Sequence, residues 1–272
     1  MKNLDIQRKI VANMTTESWR NIPHVAFSYE PDITEFERHY LSCRGSVKFN
    51  TLLLSLIAAA LKEAPKMNAH FSYNKWLVTG HLDLKSAVDI SMPTILPDGR
   101  MMTINLRDCG SKSAEELQAY IDDMRTRAAS SSLDDVMMDV AMKNTFHSLL
   151  RGHIIKSVGR LLGRLLHPDC ANLLKGSEKR KYNSLPADRK LSALDLEQGS
   201  VTVSNFGSLY KNLRGRPLLL EIVPPQVVAI GIGAIQDIDG RRILPMCIAF
   251  DHRALDFGDI VPFIKKMDEL LG

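Results

Sequence analysis

Apolar positions recur along this chain in two rhythms, a helical one in the first half and short strand-like runs in the last third. Ile6, Ile10 and Met14 repeat every four residues with Trp19 nearby, which predicts a helix over 3–20. Ile22-Pro23-His24 ends it, and 25–32 then alternates as a strand does. Residues 51–64 are apolar almost throughout, predicting a buried helix with Asn50 as cap and Pro65 as stop. Positions 76–78 and 82–90 read as a hairpin joined by Thr79-Gly80-His81, and 102–106 as a further strand. Ser113 with Glu116 three positions on predicts a boxed helix start over 113–127. Strands follow at 201–204, 227–232 and 243–250. A closing helix over 259–271 has Ile260, Phe263, Ile264, Met267, Leu270 and Leu271 on one face.

The stretch 146–166 places Leu149, Leu150, Ile154, Ile155, Val158 and Leu161 on a helical period, with Arg151, Lys156, Arg160 and Arg164 opposite. This is a cationic amphipathic helix. Packing on the protein's own core with a solvated basic face is the expected arrangement. A membrane surface or an acidic carrier protein remains open as a partner. Gly152, Gly159 and Gly163 favour close packing over a free interfacial helix. The polar run 176–189 reads as a mobile loop.

Composition narrows the class without deciding it. The chain has 272 residues, 45% of them hydrophobic and 24% charged, ordinary for a globular protein. Its net charge of +4 is small and scattered, so no nucleic-acid partner is expected. Cys43, Cys109, Cys170 and Cys247 are far apart and have no flanking histidine ligands. That pattern points to free thiols in a reducing compartment and to no metal site. The first residues are too polar for a signal peptide, and no apolar run reaches the ~20 residues that span a bilayer. A cytoplasmic protein is expected.

Chemistry gathers near the end. Ala249-Phe250-Asp251-His252-Arg253-Ala254-Leu255-Asp256-Phe257-Gly258 follows a buried apolar run. An imidazole where a strand leaves the core is a candidate general base, desolvated on one side and open to substrate on the other. Upstream, Val201-Thr202-Val203-Ser204-Asn205-Phe206-Gly207 breaks a strand at Ser-Asn-x-Gly, and Val223-Pro224-Pro225-Gln226 leads into Val227–Gly233. Gly231-x-Gly233-Ala234 lacks the third glycine and following helix of a dinucleotide loop. Ser204 lacks the Gly-x-Ser-x-Gly elbow of a hydrolase nucleophile, which disfavours a triad with His252 and Asp256.

Taken in order, these segments resemble the catalytic domain of the 2-oxo acid dehydrogenase acyltransferases, a family related to chloramphenicol acetyltransferase. Arg8–Met14 with Ile22-Pro23-His24, Ser86–Ile90 and Gly99–Ile104 look like the family's opening helix and central strands. The resemblance implies an α/β fold, a chloramphenicol acetyltransferase-like two-layer sandwich with a mixed β-sheet and helices on one face. It implies a single catalytic domain over 1–272 with an atypical insert at about 130–195. It implies a homotrimer whose active sites form channels between subunits, with the histidine from one and the serine from the next. His252 matches the family's base and Ser204 its oxyanion donor. Asp256 matches a carboxylate or amide that holds local geometry, often through an arginine. Phe257 stands where the family usually has glycine.

No lipoyl hairpin is found in the chain, so a stand-alone form is expected, with no covalent lipoate of its own. The reading is a transferase that moves a small acyl group, acetyl by preference, from coenzyme A or a carrier protein to a small-molecule acceptor of a natural-product pathway. Two alternatives are a core subunit acylating dihydrolipoamide supplied by another chain, and a non-catalytic scaffold with the same fold. Coenzyme A enters as co-substrate, and no metal is required.

Overall fold

A computed structural model of the chain describes residues 4–43, 45–95, 99–150, 173–210 and 212–272. Six strands join in one mixed sheet. In spatial order they are β1 (His24–Tyr29), β10 (Met246–Asp251), β7 (Val228–Ile232), β6 (Val201–Asn205), β4 (Ile90–Ile95) and β5 (Met101–Leu106). The pairs β7–β6 and β6–β4 are parallel and the outer pairs antiparallel. Central strands β7 and β10 are buried at every position, which explains their near-continuous apolar runs.

Alternation along each strand sends Val201, Val203, Ile230, Ile232, Ile248 and Phe250 to one face. There they meet helices α3 (Phe49–Glu63), α4 (Ala114–Ala129) and α7 (Phe257–Leu271) through Leu53, Ile57, Leu61, Leu117, Ile121, Phe263 and Met267. Each such side chain, fully buried, contributes about 1.5–3 kcal/mol. One layer of helices thus covers one face of the sheet, the expected two-layer architecture.

Local chemistry sets the element ends. Helix α1 (Ile6–Asn21) is capped by Asp5, whose carboxylate accepts from the Arg8 N–H at 2.7 Å. The Ser113–Glu116 box forms as expected, at 3.2 and 2.8 Å. Helix α3 starts at Phe49, so Asn50 lies inside it and is not its cap. Helix α2 (Thr34–Cys43), which the apolar pattern does not announce, ends on an exposed Cys43, whereas Cys109 and Cys247 are buried.

The hairpin departs from its expected register. Strands β2 (Ala69–Asn74) and β3 (Thr79–Leu84) pair, and Trp76–Val78 form the turn instead of a strand. The Asn74 side chain accepts from the N–H groups of Trp76 and Leu77, at 3.0 and 3.2 Å, and bends the chain despite its strand-forming residues. Residues 85–89 leave the hairpin because the Asn68 amide donates to the carbonyls of Lys85 and Ala87. A second hairpin, β8 (Gln236–Ile238) and β9 (Arg241–Ile243), turns on Asp239-Gly240, both at positive φ.

The expected loop over 176–189 contains a helix, α6 (Gly176–Asn183). The buried Asp135 of α5 (Leu133–Leu150) holds it there, accepting from Ser132 Oγ, the Leu174 N–H and Lys179 Nζ. The basic amphipathic pattern over 146–166 lies outside the described residues beyond position 150. Among the described residues no helix is long and apolar enough to cross a membrane.

Tyr29 ties β1 to α7, its hydroxyl donating to Asp268 at 2.6 Å. Burial, reinforced by that carboxylate, holds its ionisation far above the usual phenolic range. An unfolded tyrosine ionises near pH ~10. Above that pH the unfolded chain binds fewer protons than the folded one, so this contribution is complete below ~10 and falls as pH rises. Tyr29→Phe is therefore expected to lose less thermal stability than the parent between pH 8 and 11, followed by circular dichroism. Parallel losses in the two proteins would contradict this.

Candidate active site

The sheet face away from the helices carries small side chains. The strand register sets Ser204, Gly231, Cys247 and Ser28 in one row across it. Leu219, Leu220 and Ile222 cover a neighbouring part, packed on Ala229 and Ala249. Cys247 Sγ donates to the Leu218 carbonyl at 3.0 Å, and burial raises its thiol pKa. A β-carbon on Gly231 would sit 3.2 Å from the Phe206 ring, so glycine there keeps the row shallow.

Ser204 is nearly buried at the end of β6. Among the described residues its hydroxyl makes no side-chain hydrogen bond, whereas Thr202, two positions before, donates to Gln226 Oε1 at 2.7 Å. The turn that follows is tightly held. Asn205 Oδ1 accepts from the Ser208 N–H at 3.0 Å, and its amide donates to Asn50 Oδ1 at 2.8 Å. A β-carbon on Gly207 would lie 2.6 Å from the Gly233 carbonyl, which is why the Ser-Asn-x-Gly break ends on glycine.

His252 stands directly after β10. Its backbone N–H donates to the Pro23 carbonyl at 3.1 Å, and its Nδ1 lies 3.1 Å from the Leu255 carbonyl. A carbonyl only accepts, so Nδ1 carries the proton in this contact and Nε2 keeps its lone pair. The ring lies edge-on to Phe250, and its side chain is 51% exposed.

Asp256 Oδ1 is 3.5 Å from His252 Nδ1, and its carboxylate is 85% exposed. Asp256 precedes α7, and its N–H donates to Asp259 Oδ2 at 3.0 Å. The neighbouring arginine does not engage it. Arg253 pairs with Asp251 instead, at 2.6 Å. Phe257 opens α7 and packs edge-on against Phe27 at 5.0 Å.

Ser204 and His252 do not meet within one chain. Ser204 is level with Gly231 and Cys247, and His252 lies five residues beyond Cys247. That is roughly 16 Å along the strand, with two strand spacings of about 4.8 Å across. The same separation removes a Ser204–His252–Asp256 triad within a single chain. Asp251, Arg253, Asn205 and Gln226 escape the sequence reading. The one available signal was their adjacency to His252, Ser204 and the double proline.

A cavity of about 130 Å³ lies at the foot of the β2–β3 hairpin, lined by His70, Lys85, Ser86, Asp89, Gln198 and Ser200, and includes neither Ser204 nor His252. Among the described residues no three His, Cys, Asp or Glu side chains are grouped to hold a metal.

The 2-oxoacid dehydrogenases acyltransferase (catalytic domain) family model matches residues 2–140 and 177–272. Over 97% of its length the chain is 21% identical to the dihydrolipoyllysine-residue acetyltransferase component of the pyruvate dehydrogenase complex of Mycoplasma pneumoniae, matching 54% of that protein. Over 31% of its length it is 36% identical to the dihydrolipoyllysine-residue succinyltransferase component of the 2-oxoglutarate dehydrogenase complex of Escherichia coli, matching 22% of that protein. The chain spans about half the length of the two Mycoplasma acetyltransferase relatives it matches along most of its own.

Among solved structures, a probable dihydrolipoamide acetyltransferase from Listeria monocytogenes superposes with a TM-score of 0.67 at 18% identity, covering all of this chain and 93% of that one. The Azotobacter vinelandii dihydrolipoamide acetyltransferase gives 0.64 at 21%, covering 100% and 90%. That structure addresses the role of a serine, a histidine and an asparagine in its catalytic mechanism. These likenesses establish the fold.

Proposed function

The chain belongs to the 2-oxoacid dehydrogenase acyltransferase catalytic-domain family, and from that premise we propose that it moves a short acyl group between coenzyme A and a dihydrolipoyl thiol, at sites shared between the subunits of a homotrimer. The observation that carries the reading is the state of His252: Nδ1 fixed on the Leu255 carbonyl, Nε2 free, ring half-exposed. In the proposed reaction Nε2 takes the proton of the attacking thiol. The thiolate adds to the thioester carbonyl. Ser204 Oγ of the next subunit donates to the oxyanion that forms. Collapse expels the second sulfur as a thiolate, and His252 returns the proton to it.

The separation of Ser204 from His252 along one sheet supports a site made by two chains. The free Ser204 hydroxyl on a face of small side chains supports its donor role. Asp256 is assigned a positioning role through its Oδ1, 3.5 Å from His252 Nδ1. The relatives' acceptor, dihydrolipoyllysine, favours a dihydrolipoyl thiol over the free small molecule expected from the sequence. One observation keeps the small-molecule acceptor as second reading: the family match is interrupted between residues 140 and 177.

The test incubates the purified chain with acetyl-CoA or succinyl-CoA and measures S-acyl-dihydrolipoamide by mass spectrometry, with light scattering for assembly. Acylated dihydrolipoamide from a trimer or a multiple of it is the expected result. Acylation of small hydroxyl compounds alone would transfer the proposal to the second reading. Turnover by a monomer would remove the shared site.

A further inference from the structure

Resting on the proposed role of His252, we infer that Arg253 is a positioning residue that fixes the His252 corner against the β2–β3 hairpin. Its guanidinium forks the Asp251 carboxylate, Nη2 to Oδ2 at 2.6 Å and Nε to Oδ1 at 2.9 Å, while the Arg253 backbone N–H reaches Oδ1 at 3.0 Å. The residues on either side of His252 are thereby tied to each other. Asp251 is 1% exposed, so its charge has no recourse to water if that partner is lost.

The same guanidinium lies over the rings of Phe71 and Tyr73, with its carbon 5.5 and 5.7 Å from their centres. Those rings stack on each other along β2. The hairpin is further held near its foot, where the Phe71 N–H donates to the Pro225 carbonyl at 2.8 Å. Beyond Tyr73 it projects to an exposed tip at Trp76, Leu77 and Val78. Arg253 therefore joins three things: the end of β10, the residue carrying the base, and the aromatic side of the hairpin. A hairpin that shifts pulls on the backbone next to the imidazole. Lysine cannot replace this contact, since it has neither the planar fork nor the stacking face. A displacement of the base by ~1 Å costs on the order of 100-fold in rate.

Arg253→Met, Arg253→Lys and Asp251→Asn/Arg253→Met test the inference, the double variant avoiding an unpaired buried carboxylate. With acetyl-CoA and dihydrolipoamide, kcat is expected to fall about 100-fold in Arg253→Met and in the double variant, with both KM values within about threefold of the parent. Arg253→Lys recovers little of this. Tyr73→Ala lowers kcat in the parent and has no further effect in Arg253→Met. The carbethoxylation rate of His252 by diethyl pyrocarbonate, followed by peptide mass spectrometry, reads the imidazole without turnover. It is expected to change in the Arg253 variants and not in Arg38→Met, whose exposed side chain pairs with Glu35. Unchanged His252 reactivity in the folded double variant overturns the inference, as does unchanged kcat or an additive Tyr73 loss. If the parent transfers no acyl group, the catalytic reading fails by itself and the reactivity measurement decides the role of Arg253.

Discussion

His252→Ala is expected to lower kcat for transfer from acetyl-CoA to dihydrolipoamide by about 10³-fold, within the 10²–10⁴-fold range of a positioned general base. The free Nε2 is the atom being removed. Two other histidines show why the loss belongs to position 252. His24 has both ring nitrogens engaged, Nδ1 on the Ile22 carbonyl at 2.9 Å and Nε2 accepting from the Ile222 N–H at 3.1 Å, so it clamps the cover segment onto the sheet. His70 spends Nε2 on the Gly199 carbonyl, and burial lowers its pKa. His24 is level with Asp251 at the end of β10, but neither of its ring nitrogens is left to take a proton. Coenzyme A affinity, measured by calorimetry on His252→Ala, is expected to stay near the parent value, because in the proposed reaction the imidazole acts on the thiol proton and not on the nucleotide. A variant that keeps more than about a tenth of the parent kcat would remove His252 from the mechanism.

Much of this architecture was legible because burial writes itself into the sequence. The fully buried β7 and the apolar faces of α3 and α7 could be read directly, and Ser113 with Glu116 announced the start of α4; the run 243–250 joined the end of β9 to β10 across Leu244-Pro245. The hairpin was misread for the complementary reason. Trp76, Leu77 and Val78 favour strands by type, but a single Asn74 carboxamide captures two backbone N–H groups and turns the chain there. Helix α6 was hidden because its residues are polar and its anchor, Asp135, lies some forty positions away. Both candidate catalytic side chains stood out as residue types. Their relation did not, since strand order and register decide who is level with whom. Arg253 escaped likewise: the sequence shows an arginine beside a histidine, and only the folded corner shows it turned back on Asp251 and across to Phe71 and Tyr73.

The strand register makes the second large effect a test of how the site is shared. Ser204→Ala is expected to lower kcat by 10²–10³-fold, about 3 kcal/mol of oxyanion stabilisation, with KM little changed. In the proposed reaction the Ser204 hydroxyl interacts with the charge that forms and little with the resting thioester. Each single variant is then nearly inactive by itself. If each site takes its histidine from one subunit and its serine from the next, mixing unfolded Ser204→Ala and His252→Ala chains and refolding them together restores intact sites. In a random trimer a site is intact when its histidine comes from a Ser204→Ala chain and its serine from a His252→Ala chain, about one site in four. Recovery to roughly a quarter of parent turnover, from two preparations each silent alone, is the expected result. A mixture as inactive as its components would mean that both residues act from the same chain. The five-residue offset between Ser204 and His252 across the sheet could then not describe the working enzyme.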